Sequence, residues 1–449
     1  MNTLGKKELE SLFRAAVAAV DPARLVRESL RADARGIALS GGGVSAFASW
    51  PDVRNVWLVG GGKAGRAMGE AAVEVLGERV SAGAVAVPRG RGGSAGPVRF
   101  VEAGHPLADA GSRAAAAEML TLLARAGEGD LVVALISGGG SAMISAPPEG
   151  ISPEEKEAVF RVMLRSGAAI AGFNTLRKHL SAVKGGRMAA VSHPARVFAL
   201  LLSDVPGDDP SVIASGPFAP DPTTYSDAMN ILVGHRICAS IPASVRNHIA
   251  AGVAGTIPET PKPGAPVFGT VVNAVVGSNR IALEAAAGAA RAAGAEEVRV
   301  LPGFLRGEAR ACGGAFVEEL RKASASLPPG CAAVLVAGGE TTVAVRGGGR
   351  GGRNQEFALA AALAMDGAEG IAVLSAGTDG VDGPTDAAGA YADGGTCARA
   401  RAAGLSPEDH LARNDSYPFF RAVSGLVLTG PTGTNVADIV LGVACRPSP

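Results

Sequence analysis

Lys63 stands inside the glycine-rich run VWLVGGGKAGRAMGEAAVEVLG, residues 56–77. The chain has only eight lysines against 34 arginines, so one placed in a glycine turn carries weight. A compact ammonium there can neutralise a phosphoryl or carboxylate oxygen. The apolar run breaks into Gly60, Gly61 and Gly62 before a helix, and a helix N-terminus points free backbone N–H groups at such an anion. The same glycines, with Gly65, also spell GxGxxG, the dinucleotide-binding spacing. Such a site wants an acidic residue about 20 positions on, at the end of the second strand. Here that strand, Ala82–Val87, runs into Pro88, Arg89 and Gly90. NAD is thereby weakened, and NADP stays open through Arg89. A solvated loop lysine is the plainer alternative for Lys63.

A second run, LVVALISGGGSAM (131–143), ends a strand in Ser137, Gly138, Gly139, Gly140 and Ser141. Small residues let the backbone approach a nucleotide's phosphates, although the GxxxxGK[ST] spacing is missing and a tight turn would use the same residues. FNTLRKHLSAVKGGRMA (173–189) carries Arg177, Lys184 and Arg187, which at helical spacing share one face. They form either a cationic wall for a phosphate or carboxylate, or a solvated helix face. In VFALLLSDVPGDDPSVIASGP (197–217), Asp204 follows an apolar strand directly, where a doubly wound sheet puts its ligands. A carboxylate there can hold Mg²⁺ or accept a hydroxyl proton. Asp208 and Asp209 suit turn capping better.

The distal half offers Glu340 after a strand and a glycine pair, and Arg353 at a helix start after a glycine-rich loop. Asp379 and Asp382 follow the strand 371–375. Arg353 has the reach of an arginine finger; the two aspartates are metal-ligand or base candidates. Thr432, Thr434, Asn435 and Asp438 are polar groups amid apolar neighbours. His105, beside a proline in AGHPLADAGS, would either orient substrate or serve structure. No histidine pair has metal-binding spacing.

These residues must be positioned by elements the sequence announces. Lys+Arg and Asp+Glu both number 42, so no basic excess favours nucleic acid or an anionic membrane. Five scattered cysteines, never spaced CxxC, read as reduced thiols of a cytoplasmic protein. Lys6, Lys7, Glu8 and Glu10 argue against a signal peptide, and no apolar run reaches membrane-spanning length. Residues 6–35 have helical spacing, with Pro22 opening a second stretch. Continuous apolar runs then alternate with helices, the pattern of a parallel sheet covered on both faces. The proline-rich stretch 252–266 reads as a linker or long surface loop. Beyond it a helix over 279–293, with Ser278 as N-cap, is followed by strands at 298–301, 333–337, 341–345 and 371–375. The expected fold is α/β in two domains, 1–255 and 266–449, with the chain end left free to return to the first.

Taken in order from residue 60 to 439, GGGKAGRAMG, AGHPLADAGS, SGGGSA, NTLRKHLSAVKGGR, LSDVPGDDPSVIASGP, VGSN, AGGETTV, GRGGRNQE, SAGTDGVDGPTDAAGA and TGPTGTNVADI resemble the MOFRL-type glycerate 2-kinases. The resemblance implies a Rossmann-like N-terminal parallel-sheet domain and a smaller C-terminal α/β domain of MOFRL type, with the active site in the cleft. It implies ATP with Mg²⁺ as donor and D-glycerate as acceptor, giving 2-phosphoglycerate, with no nucleic-acid or membrane partner. Oligomeric state stays open, a homodimer included.

By matching motifs, Lys63 and Arg353 carry over as active-site cations, and Asp204 and Asp379 as their acidic partners. On physical grounds the cations would neutralise the transferred phosphoryl group, since phosphoryl transfer is mainly positioning and electrostatics. One aspartate would take the hydroxyl proton and the other hold Mg²⁺. Gly60–Gly62 and Ser137–Ser141 would cradle the nucleotide, and Lys184, Arg187, Asn279 and Glu340 would bind substrate. Two rivals remain: an NAD(P)H-dependent hydroxypyruvate reductase, and a non-enzymatic sensor of sugar phosphates.

Overall fold

A computed structural model describes residues 5–167 and 169–446. Two helices open the chain. In α1 (Lys6–Ala19) the 3.6-residue spacing buries Leu9, Leu12, Phe13 and Ala16; α2 (Pro22–Ser29) starts at a proline, whose fixed φ suits a first turn. The helical spacing stops at Ser29. Residues 30–32 form a strand instead, β1 (Leu30–Ala32), because they pair antiparallel with β2 (Gly36–Gly41). A Gly42–Gly43 turn, both residues at positive φ, returns the chain as β3 (Val44–Ser49), the two-residue turn whose twist matches a hairpin.

A seven-stranded sheet follows, from β4 (Val56–Gly61), β5 (Val80–Val87), β6 (Gly93–Ala95), β7 (Val98–Glu102), β8 (Leu131–Ile136), β9 (Arg196–Leu202) and β10 (Val271–Gly277). Its order is β10-β9-β8-β4-β5-β7-β6. β4 lies parallel to both β5 and β8, while β6 runs antiparallel at the edge. Every residue of β4 and β8 is buried, as continuous apolar strands require when both faces are covered. Helices α3 (Gly65–Leu76), α4 (Ala110–Leu123), α5 (Gly140–Met143), α6 (Pro153–Arg165), α7 (Ile170–His179), α8 (Arg187–Ser192), α9 (Tyr225–Gly234) and α10 (Ala243–Val253) complete this part. α6, α7, α9 and α10 close a helical core of their own around Val159, Met163, Leu176, Leu232 and Ile249. The chain moves from β4 to β5 on one side and later to β8 on the other. Between β4 and β8 lies the point where strand order reverses, and open α/β sheets bind their ligands there.

The remaining elements are α11 (Asn279–Ala292), β11 (Glu297–Val300), α12 (Ala309–Ala325), β12 (Ala332–Gly339), α13 (Arg353–Ala364), β13 (Ile371–Gly377), β14 (Gly389–Asp393), β15 (Leu426–Val427) and β16 (Asp438–Cys445). They build a six-stranded sheet of order β11-β12-β16-β13-β14-β15. β11 and β12 are parallel, whereas β16 runs antiparallel between β12 and β13. A separate core, with Phe316, Leu335, Phe357, Val373 and Phe420, supports it.

The chain divides into two compact units, residues 22–276 and residues 1–21 with 277–449. This differs from a linear split near 255–266. Residues 252–266 belong to the first unit and are tied down there: Thr260 is buried and donates to Asp221 at 3.0 Å, and Pro261 accepts the Asp221 N–H. The N-terminal helix belongs to the distal unit, because its apolar face packs on α11. The last strand does not leave that unit; β16 is the third strand of its sheet. Residues 341–345 are no strand, since the chain turns from the sheet after Glu340 and Thr342 bridges only to Glu308.

Candidate active site

In the first unit the two glycine turns meet at the carboxyl ends of β4 and β8. Parallel register sets Gly61 beside Ile136, so the turns leave the sheet together. Lys63 N–H donates to Gly138 O at 2.8 Å, and Ser137 N–H donates to Gly61 O at 3.1 Å. Ser137 Oγ, buried, accepts the Ala64 N–H at 3.1 Å. Gly62 adopts φ +133°, and a methyl group there would collide with Ser137 Oγ. At Gly60 it would collide with Leu135 O, and at Gly65 it would press on Ala86 O. The three glycines of GxGxxG therefore serve close packing of turn against strand. Gly139 (φ +83°) is different: a methyl group there would stand 3.1 Å from the His105 ring and 3.3 Å from Lys63 Cγ. Lys63, His105 and the Ser137–Ser141 turn thus share one place over the switch point.

Ser141 Oγ lies 2.9 Å from Ser215 Oγ, in a turn where Ala214, Ser215 and Gly216 all take positive φ. Left-handed backbone is costly for residues with a Cβ and is held only by surrounding structure. The N–H groups of Gly185 and Gly186 hold it by donating to Ser215 O and Gly216 O. Asp204 is half-buried directly after β9, two strands from β4. Asp209 accepts the Ser211 N–H at 2.8 Å and caps that loop.

Arg177, Lys184 and Arg187 do not share one helix face. α7 ends at His179, and Gly185 and Gly186, at φ +58° and +79°, turn the chain before α8. Lys184 is 1% exposed and donates to Ile144 O at 2.8 Å. Burial, with Lys156 and Arg177 nearby, holds its ammonium well below the ordinary lysine range. Arg187 opens α8 and reaches Tyr225 Oη at 3.2 Å.

The distal unit gathers its charges at one end of its sheet. Antiparallel register puts Asp438, the first residue of β16, opposite Gly339 of β12 and Gly377 of β13. Two glycine neighbours leave room for a carboxylate that is itself buried. Arg353, first residue of α13, meets it with both prongs of its fork, Nε to Oδ2 at 2.6 Å and Nη2 to Oδ1 at 2.9 Å; Nη1 lies 3.2 Å from Glu340 Oε1. Burial opposes the arginine's charge, yet the bonds to Asp438 and the nearby Glu340 hold its proton more tightly than usual. Asp379 lies beside this pair: a methyl group at Gly377 would stand 3.2 Å from Asp379 Oδ1 and 3.4 Å from Asp438 Oδ1. Asn279 donates Nδ2 to Val436 O and Asp438 O at 2.8 and 3.0 Å, fixing the start of β16.

Asp382 is buried at the N-terminus of α13. Its carboxylate accepts the N–H groups of Asn354 and Gln355 at 3.1 and 2.9 Å, performing the capping that Gly352 cannot. Burial, helped by the nearby Asp438, raises its pKa to about 6 against those two bonds. Asp382 therefore positions Arg353 from behind.

Among the described residues no three His, Cys, Asp or Glu side chains gather into a group that would hold a metal alone. Mg²⁺ commonly uses one or two carboxylates plus the phosphates of its nucleotide, a need that single half-buried aspartates such as Asp204 and Asp379 fit. In the sequence Asp438 stands out only as one of several polar groups amid apolar neighbours. Its partnership with Arg353, 85 residues away, had no local signal.

A mostly parallel sheet with a lysine-bearing glycine turn at its switch point, and a mixed sheet with an Arg–Asp pair at its strand ends, define the class as a two-unit α/β protein. Residues 8–250 match the family described as Domain of unknown function (DUF4147), and residues 333–438 match the MOFRL family. A D-glycerate 2-kinase of Thermotoga maritima is 42% identical over 393 residues, 86% of this chain and 90% of that one. An Agrobacterium vitis protein, provisionally named hydroxypyruvate reductase, is 43% identical over 385 residues, 85% of this chain and 97% of its own. The crystal structure of a glycerate kinase from Thermotoga maritima superposes with a TM-score of 0.84 at 38% identity, covering 98% of this chain and 99% of that one. This chain belongs to the MOFRL-type glycerate 2-kinase family.

Proposed function

We propose that the protein is an ATP-dependent glycerate 2-kinase that phosphorylates D-glycerate to 2-phosphoglycerate. The observation that carries this reading is the pairing of Lys63 with the Ser137–Ser141 turn over the β4–β8 switch point. The relatives named as glycerate kinases supply the substrate. On this reading the acceptor hydroxyl oxygen forms a bond to the γ-phosphorus while the bond from that phosphorus to the ADP oxygen breaks. The hydroxyl proton passes to a carboxylate, Asp204 or Asp379. Lys63 and Arg353 neutralise the oxygens of the group in transit, with Asp438 and Glu340 holding the Arg353 fork in one orientation. Lys184, Arg187, Asn279 and Glu340 stay assigned to substrate, directly or by positioning. The remaining aspartate would hold Mg²⁺, which would supply positive charge to offset that of the phosphates. No helix among the described residues is long and apolar enough to cross a membrane, and cysteines scattered along the chain without a CxxC spacing fit a reducing cytoplasm.

The reductase reading has the GxGxxG spacing and the Agrobacterium vitis name behind it. Against it, a methyl group at Gly60, Gly62 or Gly65 would meet neighbouring backbone or Ser137, so close packing alone accounts for these glycines. The residue after Pro88 is Arg89, an exposed side chain paired to Asp109 at 2.8 Å. Coupled ADP release tests the proposal: D-glycerate should give ADP and 2-phosphoglycerate, and hydroxypyruvate with NAD(P)H should give no nicotinamide oxidation. Lys63→Ala should keep the fold and lose about two to three powers of ten in turnover, the usual effect of removing a transition-state charge partner. No ADP from D-glycerate with the wild type, or near-normal turnover in Lys63→Ala, would refute the assignment.

A further inference from the structure

Two buried lysines and a half-buried arginine lie together in the first unit, away from the Lys63 turn in sequence. α6 carries Lys156 and, one turn on, Phe160; α7 carries Phe173 and, one turn on, Arg177; Lys184 follows in the turn after α7. Residues four apart share a helix face, so each helix presents one ring and one cation. The Arg177 guanidinium carbon sits 5.6 and 5.8 Å from the centroids of Phe160 and Phe173. Lys156 is 7% exposed, and its Nζ is enclosed with no hydrogen-bond partner. Besides burial, the charge acting on Lys156 is that of Arg177, and those acting on Lys184 are those of Lys156 and Arg177. All of these are positive, and among the described residues no carboxylate is paired with Lys156 or Lys184.

Enclosing an ammonium without a counter-charge is costly, by several kcal/mol per ion even after relaxation. Two such ammoniums beside a half-buried guanidinium have one economical explanation: a negative group completes the cluster. A guanidinium fork and two point ammoniums suit the oxygens of a carboxylate or phosphate. We propose that Lys156, Arg177 and Lys184 form an oxyanion-binding site that takes the compact carboxylate or phosphate group of a small metabolite. The choice of probes below rests on the kinase reading; the site itself does not.

The test is binding of D-glycerate, inorganic phosphate and ATP to the full chain at constant ionic strength, measured by calorimetry on wild type and Lys156→Met. The variant keeps the length of the side chain and removes its charge. The affinity for at least one probe should fall tenfold or more, about 1.4 kcal/mol, while the free variant melts no lower than wild type. Loss for glycerate assigns a carboxylate. Loss for inorganic phosphate assigns a free phosphate, and loss for ATP alone a nucleotide's. Unchanged affinities for all three overturn the site. Should the variant fail to fold, ¹⁵N-lysine NMR on wild type decides: the Lys156 amine pKa must rise on adding one probe, and an amine unmoved by all three overturns the site. A chain that binds an oxyanion here but releases no ADP from glycerate loses only the kinase reading.

Discussion

Replacing Asp438 by Asn tests the central contact of the distal unit. Asp438 is 4% exposed and receives two charge-assisted hydrogen bonds from Arg353. Bonds of that kind contribute about 1.5–3 kcal/mol each, and removing one partner of a buried pair typically costs about 3–5 kcal/mol. Two features reduce the loss here. The amide oxygen of Asn keeps one acceptor, and Glu340, half exposed, still faces Arg353 at 3.2 Å. The expected destabilisation is therefore about 2–4 kcal/mol, read from urea unfolding at pH 7. The amide nitrogen would face a guanidinium prong, donor against donor, so Arg353 should swing from its place. Turnover should then fall about a hundredfold, the penalty of misplacing a catalytic group by an ångström. A cycle with Arg353→Met separates pairing from packing. Because the double variant leaves no enclosed unpaired charge, it should be more stable than the two single losses predict, by about 2 kcal/mol. Additivity within about 0.5 kcal/mol, a level typical of independent sites, would refute the argument.

Two further outcomes follow from the same geometry. Asp382 has a folded pKa of about 6 against an ordinary 3.8, so the folded state holds its proton longer than the unfolded chain. Stability should accordingly fall as pH rises from about 4 to 6, by at most about 3 kcal/mol; Asp382→Asn should flatten that slope in urea titrations at pH 4.5 and 7, and an unchanged slope would assign it to another group. Ser137→Ala removes the acceptor of the buried Ala64 N–H. It should cost about 1–3 kcal/mol in unfolding free energy and lower turnover with it, because the Lys63 turn loosens; an unaltered melting temperature would mean that water replaces the hydroxyl.

Much of this was legible in the residues. Val56–Val59 and Leu131–Ile136 declare buried parallel strands because nothing polar interrupts them, and the glycines that follow declare tight turns. Local spacing singles out Lys63 and Ser137–Ser141 because it places them directly after those strands. Helical spacing alone puts the basic segment on one helix face, but Gly185 and Gly186 break the helix there. Its cations are instead distributed over a helix end, an enclosed turn and a new helix. The proline-rich stretch 252–266 looked like a linker because composition reports solubility and stiffness, while Thr260 and Asp221 tie it down through a contact 39 residues long.

By itself the sequence determined the α/β class, the strand–turn–helix units and the chemistry placed at their ends, because each follows from contacts between residues close along the chain. Tertiary structure alone decided the rest. It set β16 between β12 and β13, so that Asp438 meets Arg353; it gave α1 to the distal unit; and it enclosed Lys156 beside Arg177 and Lys184. Those outcomes rest on pairing between distant segments, where strand order and register, rather than any local preference, choose which side chains meet.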